Sequence, residues 1–364
     1  MAKALRWLSP TLVVGLVLAA YLGAVLIRAQ GNPLSFARLG DGFVNGAPVG
    51  EQGYDGQFAY WIARDPRPAA AAPHLDVPAY RYQRLLYPLL AWALAGGQAA
   101  LVPWTLVLLN VAAQLAGTWL VERWLAAHGV SRWFALTYGL WAGLVLAVRL
   151  DLTEPLAYAL AAAALLALQR QRLGWSAVWL GLALFAKETT LAVWLGLAAW
   201  ALLNRHWRAL GLLVAAALPF AAFQGLLLRW FGVIGLASGG YLATPFEWLP
   251  YMGLWRVAGV SVPAFVLLAV ILGPLIVLPS AWGAITAAWR VAQRDWSPVV
   301  WVLGANAALV VFAPFSTFRE PVGLIRLATG LVLATVLFGA QVGARRVLNY
   351  SLFWLAALAL AIRD

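Results

Sequence analysis

The chain has 364 residues, of which 64% are hydrophobic and only 10% are charged, and its mean hydropathy is +0.83. A soluble globular protein contains roughly 25% charged residues, so this composition excludes a water-soluble domain, which would need polar side chains to cover its core. The net charge of +12 comes without a basic cluster interleaved with aromatics. Because basic residues of membrane proteins collect at lipid headgroups, no nucleic-acid partner is expected.

Long, continuous apolar runs predict an all-α, polytopic integral membrane protein, since helices satisfy their own backbone hydrogen bonds in lipid. Apolar stretches of about 20 residues predict about eleven transmembrane helices in a single domain, 1–364. The expected spans are 8–28, 103–121, 133–149, 155–168, 174–186, 191–203, 209–228, 259–279, 298–313, 322–341 and 347–362. The runs 174–186 and 191–203 are half-length, so the hinge between them is expected inside the bilayer, at the floor of a cavity.

The longest polar stretch follows the first span and predicts a first external loop at 29–102. Within it, the apolar run 85–95 is too short to cross a membrane and predicts an amphipathic interfacial helix. A second external loop is expected at 232–257. Only two of the 13 acids, Glu122 and Asp295, fall on the opposite side, with about half of the 25 basic residues. The positive-inside tendency therefore predicts that this side, with the N-terminus, is cytoplasmic.

An acid stands in the first external loop where a short helix is expected to begin. The helix would start near Gly56, lie on the membrane and have Asp55 as its N-cap. Two interpretations of Asp55 remain open, a cap alone or a functional carboxylate. Further along the loop, Arg81 and Arg84 lie three residues apart on one side of a helix. Guanidinium groups suit phosphate oxygens, although anchoring to lipid headgroups is the alternative.

Later polar positions fall on the same expected side of the membrane. Asp151 and Glu154 stand at a helix start, which is also a good capping arrangement. Lys187 and Glu188 interrupt about thirty otherwise apolar residues. Such an intramembrane ionisable pair indicates a functional site, and a mutual salt bridge at a helix break is the alternative. Two more arginines, Arg319 and Arg326, lie at the outer end of a late span.

Four segments resemble bacterial multi-spanning glycosyltransferases of the GT-C superfamily, and the resemblance is best over the first 200 residues. They are Gly53-Tyr54-Asp55-Gly56-Gln57-Phe58, Ala63-Arg64-Asp65-Pro66, Arg81-Tyr82-Gln83-Arg84-Leu85-Leu86-Tyr87-Pro88-Leu89-Leu90 and Phe185-Ala186-Lys187-Glu188-Thr189. The resemblance implies a polyprenyl-phosphate sugar donor and a catalytic cavity on the non-cytoplasmic side. It also implies that the acid of the first external loop, Asp55, is the general base. Family members with an acidic pair in that loop are matched only partly, since Asp55 stands between Tyr54 and Gly56.

The residue types suit an inverting transfer, in which a carboxylate accepts the proton of the attacking hydroxyl and cations stabilise the departing phosphate. The predicted substrate-binding residues are Tyr54, Gln57, Arg81, Arg84, Asp151, Glu154, Lys187, Glu188, Arg319 and Arg326. No cofactor is expected, because an arginine can bind the phosphate as an ion pair. No metal ligands are assigned, and dependence on a metal is left open.

The sequence predicts a glycosyltransferase at the outer face of a bacterial inner membrane. Its expected partners are the lipid bilayer, the lipid-linked sugar donor and an acceptor that is a glycan, a lipid or a protein. Two other classes remain open, a transporter or flippase of lipid-linked sugars and a non-catalytic subunit of glycopolymer assembly. A transporter is expected to show internal repeats, and the two halves of the chain show no convincing self-similarity.

Overall fold

The computed structural model describes residues 8–44 and 46–361. The predicted cytoplasmic N-terminus, 1–7, and the last residue of the final predicted span, 362, lie outside this range. Within it the fold is helical apart from one short antiparallel pair of strands, β1 (Phe43–Val44) and β2 (Ala47–Pro48). The prediction of an all-α protein is confirmed.

The first helix, α1 (Pro10–Arg28), begins where its sequence signals predict. The Ser9 hydroxyl accepts a hydrogen bond from the backbone N–H of Leu12, and Pro10 occupies the first turn, where its missing N–H costs nothing. The 19 residues extend about 28 Å, close to the thickness of a bilayer core. Short helices follow, namely α2 (Leu34–Ala37), α3 (Gly56–Arg64), α4 (Pro68–Ala71), α5 (Pro78–Tyr82) and α6 (Leu86–Leu94).

Most of the longer helices lie in the rest of the chain. The middle part contains α7 (Val102–Ala127), α8 (Leu136–Gly139), α9 (Ala142–Arg149), α10 (Glu154–Gln169), α11 (Leu173–Ala186), α12 (Leu191–Leu203), α13 (Trp207–Phe231) and α14 (Met252–Val260). The last part contains α15 (Val262–Leu272), α16 (Leu278–Ala292), α17 (Pro298–Val311), α18 (Phe315–Arg319), α19 (Pro321–Leu327), α20 (Thr329–Gln341) and α21 (Arg345–Ser351). A π-helical turn, Gly273–Val277, joins α15 to α16, and the 3₁₀ stretch Leu352–Leu360 follows α21.

Five helical segments of the described chain are long and apolar enough to cross a membrane. They are Pro10–Arg28, Val102–Ala127, Trp207–Phe231, Val262–Ala292 and Pro321–Gln341. Four further apolar helices are shorter, namely Glu154–Gln169, Leu173–Ala186, Glu188–Leu203 and Pro298–Val311. The chain therefore has the helices of a multi-pass membrane protein, and the predicted number of about eleven spans is not confirmed.

Three predicted spans differ from the observed helices. The stretch 133–149 is divided into a 3₁₀ turn, α8 and α9, because the backbone leaves helical geometry at Trp141, whose indole donates to the Ile325 carbonyl at 3.0 Å. The predicted span 259–279 begins later and continues without a break to Ala292. The last one, 347–362, is half α-helix and half 3₁₀-helix in its described part.

Two other expectations are confirmed as far as the helix boundaries are concerned. The run 85–95 forms a short helix, α6, whose nine residues extend only about 14 Å. The hinge also exists, since α11 ends at Ala186, Lys187 adopts an extended conformation and a 3₁₀ turn at Glu188–Thr190 leads into α12.

Hydrogen bonds gather the predicted cytoplasmic segments at one end of the bundle. They join Thr11 to Glu122 (2.7 Å), Arg132 to Leu8 (3.1 Å), Gln169 to His128 (3.4 Å) and Asn204 to Trp296 (3.3 Å). We call this the basic end. At the other end, the predicted external segments contact one another through the bonds from Tyr241 N–H to Asp76 (3.1 Å) and from Thr244 N–H to Ser316 (3.1 Å). We call this the site end.

Candidate functional site

Asp55 lies at the site end, immediately before α3, and its carboxylate faces two arginines. Oδ1 lies 3.1 Å from Nη1 of Arg81, and Oδ2 accepts a hydrogen bond from Nη1 of Arg326 at 3.0 Å. Although Asp55 occupies the N-cap position, its side chain makes no capping hydrogen bond. The interpretation of Asp55 as a cap alone therefore does not describe what its carboxylate contacts.

Contacts with residues other than Asp55 fix the position of the Arg81 side chain. Its Nε and Nη2 each donate to a different oxygen of Asp76 at 2.7 Å, a two-point contact that sets the plane of the guanidinium. The same group lies 4.0 Å from the centre of the Phe58 ring in α3. Asp76 also accepts hydrogen bonds from the backbone N–H groups of Val77 and Tyr241, so the position of Arg81 depends on both the loop at 29–102 and the loop at 232–257.

Arg326 connects Asp55 to the interior of the bundle. Its Nε donates to Oε1 of Glu154 at 2.6 Å, and Nζ of Lys187 lies 3.1 Å from the same oxygen. Glu154 begins α10 and its side chain is fully buried, while Lys187 is the extended residue at the hinge and is 5% exposed. The break between α11 and α12 therefore places the Lys187 ammonium group against Glu154 of α10. Lys187 and Glu188 do not form the mutual salt bridge that was considered as an alternative.

Arg84 forms the second link to the hinge. Its Nε and Nη2 donate to the two carboxylate oxygens of Glu188 at 2.8 and 2.5 Å, and Nη2 also donates to the Tyr80 hydroxyl. The guanidinium lies 4.4 Å from the centre of the Tyr80 ring. Adjacent residues of the hinge thus point to different partners, Lys187 to Glu154 and Glu188 to Arg84.

Tyr54 and Glu320 extend the set of contacts around Arg326. The Tyr54 hydroxyl donates to Oε1 of Glu320 at 2.8 Å and accepts a hydrogen bond from Nη1 of Arg326 at 3.1 Å. The charge network, as we name the whole set, consists of Tyr54, Asp55, Asp76, Tyr80, Arg81, Arg84, Glu154, Lys187, Glu188, Glu320 and Arg326. Its members come from the loop at 29–102, the hinge, the start of α10 and the segment that includes α19.

Electrostatics distinguish Asp55 from an ordinary surface carboxylate. Burial alone would raise the pKa of Asp55, but the guanidinium groups of Arg81 and Arg326 outweigh that effect and hold the pKa well below its usual range. Burial raises the pKa of Tyr54 well above its ordinary value, so its hydroxyl keeps its proton and donates to Glu320. About 31% of the Asp55 side chain is exposed, compared with 8% for each arginine that it contacts. Asp55 is therefore a partly accessible anion in a mostly buried cluster, and Glu320 is the exposed acid at its edge.

Three predicted substrate-binding residues do not join the charge network. Gln57 is buried and braces its own loop, accepting from Gly40 N–H at 2.9 Å and donating to the Gln52 carbonyl at 2.7 Å. Arg319 is exposed, with its guanidinium 5.6 Å from the Phe315 ring centre. Asp151 is completely buried, and neither of its carboxylate oxygens has a hydrogen-bond partner.

Asp151 also differs in its backbone and its charge. Its φ of 50° lies in the left-handed region, which aspartate and asparagine tolerate better than most residues. Burial raises the pKa of Asp151 well above its usual range, and the opposing effect of Arg149 is smaller. Burial therefore favours the neutral form of the Asp151 carboxyl group, whereas Glu154, three residues later, faces the cations of Lys187 and Arg326.

Two acids of the charge network were not among the predicted site residues. Asp76 lies just before Pro78, which starts α5, and five residues before Arg81. This spacing places the Asp76 carboxylate within hydrogen-bond distance of the Arg81 guanidinium. Glu320 lies between α18 and α19, next to the predicted Arg319. For Asp76 the proline-started helix was a usable signal, whereas the contact of Glu320 with Tyr54 spans 266 positions and leaves no trace in local sequence.

The charge network can bind an anion, hold a hydroxyl group and accept a proton at Asp55. In the part of the chain that the structure describes, no group of three or more histidine, aspartate or glutamate side chains could hold a metal ion. Comparison of the chain with known protein families, curated proteins and solved structures found no match.

Proposed function

We propose that the protein is a glycosyltransferase of the GT-C type, which transfers a sugar from a polyprenyl-phosphate donor to an acceptor hydroxyl at the site end. The observation that carries the proposal is the position of Asp55, a partly exposed carboxylate held between two buried arginines. A base and an anion-binding group thus lie within a hydrogen bond of each other, as a transfer from a phosphate leaving group requires.

The proposed step uses Asp55 as the general base. The acceptor oxygen attacks the anomeric carbon of the donor from the face opposite the phosphate, and its proton passes to the Asp55 carboxylate. The bond between the anomeric carbon and the phosphate oxygen breaks, and its electron pair leaves with the polyprenyl phosphate. The configuration of the sugar inverts because a single displacement takes place.

Arg81 and Arg326 have a second part in this step. In the free protein they neutralise Asp55 and hold its pKa low, which makes the carboxylate a weak base. A donor phosphate that accepts hydrogen bonds from either guanidinium competes with Asp55 for it. The loss of that positive neighbour raises the proton affinity of Asp55 at the moment when the donor is bound. Donor binding would thereby activate the base.

The buried part of the charge network supports this exchange. Arg326 keeps its contact with Glu154, and Arg81 keeps its two-point contact with Asp76, so either guanidinium can turn an Nη atom toward a phosphate without losing every partner. Arg84 and Lys187 add positive charge behind them, each held by one carboxylate. Preorganised cations of this kind stabilise a developing phosphate charge without reorganising.

The direct test is Asp55→Asn in purified, folded protein supplied with labelled polyprenyl-phosphate sugars. Removal of a general base lowers turnover by about 10²- to 10⁴-fold, and donor binding should be kept, because the amide leaves both arginines free for the phosphate. Glu51→Gln is the matched control, since Glu51 is an exposed acid of the same loop outside the charge network. It should leave turnover unchanged.

Two results would oppose the proposal. Retained turnover in Asp55→Asn would remove Asp55 as the base. Failure of the wild-type protein to transfer sugar from any of several donors, together with movement of a labelled lipid-linked sugar across proteoliposome membranes, would favour the transporter class instead.

A further inference from the structure

A second candidate site lies at the basic end, far from the charge network. A crevice of about 790 Å³ opens between α11 and α13. The two helices touch at Gly181, where a side chain would collide with the Ala216 carbonyl at 2.7 Å. The residues that line it run along both helices from Gln171 and Arg208 to Val178 and Ala216, and Ala216 lies next to Gly181. The crevice is therefore a groove between the two helices that ends near this contact, and we call its apolar part the wedge.

The lining of the crevice changes from polar to apolar along its length. Gln171, Arg172 and Arg208 form the rim. The apolar part of the lining includes Leu173, Val178, Leu212 and Ala215. Such a lining matches a molecule with an anionic head and a hydrocarbon tail, because a small hydrophilic anion would leave the apolar walls uncovered.

The cations of the rim are available to a ligand. Arg172 and Arg208 are exposed, and in residues 8–44 and 46–361 neither has a carboxylate within ion-pair distance. The rim also contains the first turns of two helices, α11 and α13, and neither has a side-chain cap. The free N–H groups of those turns add to the positive potential made by the guanidinium groups.

Tryptophans at this end suit a position at the membrane surface. Trp175 lies in the first turn of α11 and borders the crevice, and Trp207 begins α13. Both are well exposed. Tryptophan is enriched where hydrocarbon meets headgroups. α13 is also one of the helices long and apolar enough to cross a membrane. The rim would then lie at headgroup level, with the apolar wedge directed into the bilayer.

We propose that this crevice is a binding site for one anionic phospholipid. The phosphate accepts hydrogen bonds from Arg172 and Arg208, and one acyl chain fills the wedge between α11 and α13. The site is independent of the proposed transferase activity, since none of its residues belongs to the charge network.

The test uses the purified full-length protein, delipidated in detergent and titrated with phosphatidylglycerol, with bound lipid counted by native mass spectrometry. Each guanidinium near an anionic lipid surface contributes about fivefold in affinity, so Arg172→Gln with Arg208→Gln should weaken binding about 25-fold. Ala215→Trp should weaken it as well, because the indole fills the wedge from an exposed position without changing any charge.

The matched control is the pair Arg170→Gln and Arg205→Gln, which removes the same charge at the same end from exposed positions outside the crevice. It should leave binding nearly unchanged. Equal weakening in both double variants would mean general attraction to anionic lipid and would overturn the proposal. Full competition by inorganic phosphate alone, with no effect of Ala215→Trp, would also overturn it, since the site would then hold a free anion. A thermal unfolding scan of each variant separates loss of binding from loss of folding.

Discussion

Arginines at the two ends of the molecule have opposite surroundings. At the site end, Arg81, Arg84 and Arg326 are buried, and each contacts at least one carboxylate. At the basic end, Arg172 and Arg208 are exposed, and no carboxylate lies within ion-pair distance of either in the described chain. Removal of a cation from water costs several kcal/mol, so a buried arginine needs a partner and an exposed one does not. The fold therefore fixes the geometry of the first group and leaves the second free to meet a ligand.

The largest effect is expected where two buried cations share one acid. Glu154→Gln leaves Arg326 and Lys187 facing a neutral amide, and loss of one partner from a buried ionic cluster typically costs about 3–5 kcal/mol of unfolding free energy. Chemical unfolding in detergent micelles, followed by circular dichroism, measures it. Glu51→Gln, at an exposed acid, should cause no loss, and an equally stable Glu154→Gln would contradict the structural role given to this cluster.

The link between Arg84 and Glu188 should show direct coupling. Single and double changes, Arg84→Gln and Glu188→Gln, form a double-mutant cycle, and contacting charges of this kind couple by about 0.5–3 kcal/mol. A double-mutant cycle between Arg84 and Glu51, which do not belong to one contact, should give no coupling energy. Additive effects in the first cycle would mean that the two side chains do not meet in the folded protein.

Asp151 should behave in the opposite way to Glu154. Because its pKa is raised in the folded state, folding takes up a proton at this residue, and the unfolding free energy decreases as the pH rises above the unfolded pKa toward the folded one. Asp151→Asn removes this pH-dependent decrease in the unfolding free energy, because asparagine does not ionise. Asparagine also tolerates the left-handed backbone conformation at this position. As the pH rises, the unfolding free energy of the variant should increase relative to that of the wild type by at most about 1.4 kcal/mol per pH unit. Unfolding experiments between pH 5 and pH 8 measure this difference. Destabilisation by Asp151→Asn across that range would indicate a charged, partnered carboxylate.

Asp55 should give the reverse pH dependence, confined to acid conditions. Its folded pKa is depressed, so its stabilising effect is present above the unfolded pKa of about 3.9 and is lost as the pH falls through the folded pKa. Thermal unfolding of the wild type and of Asp55→Asn should therefore differ by a constant amount at neutral pH, and the two should converge below about pH 4. A difference that disappears near pH 6 would show that the arginines do not hold the pKa down.

The smallest effect is expected at the basic end. Arg172→Gln with Arg208→Gln removes exposed cations that have no ion-pair partner in the described chain, and surface changes of this kind usually stay within about 0.5 kcal/mol. The unfolding free energy in lipid-free detergent measures the effect. A large loss would mean that these arginines are structural, as those of the site end are.

Much of the helical framework could be predicted because its causes are local. Apolar runs mark the long helices, and prolines in the first turn mark the starts at Pro10, Pro103, Pro155 and Pro298. The break near Trp141 could not be predicted, since the indole that stabilises it bonds to Ile325, 184 positions away. The predicted number of about eleven spans is not confirmed, because four of the apolar runs form helices of only 10–17 residues.

The membership of the candidate site was predicted better than its pairings. Charged residues in an apolar chain are rare, so Glu154, Lys187 and Arg326 stand out from sequence alone. Their partners depend on how the hinge turns, and adjacent residues there point in different directions. Asp151 shows the opposite error, because its place beside Glu154 concealed that it is buried without a partner.

Arg326 has one further consequence, since among residues 8–44 and 46–361 it is the single side chain that contacts both the partly exposed Asp55 and the fully buried Glu154. A displacement of its guanidinium by an incoming phosphate would pull on the start of α10 and, through Lys187, on the junction of α11 and α12. Occupancy at the surface would thus be transmitted mechanically to three helices, and the protein could sense a loaded site without moving its external loops as a whole.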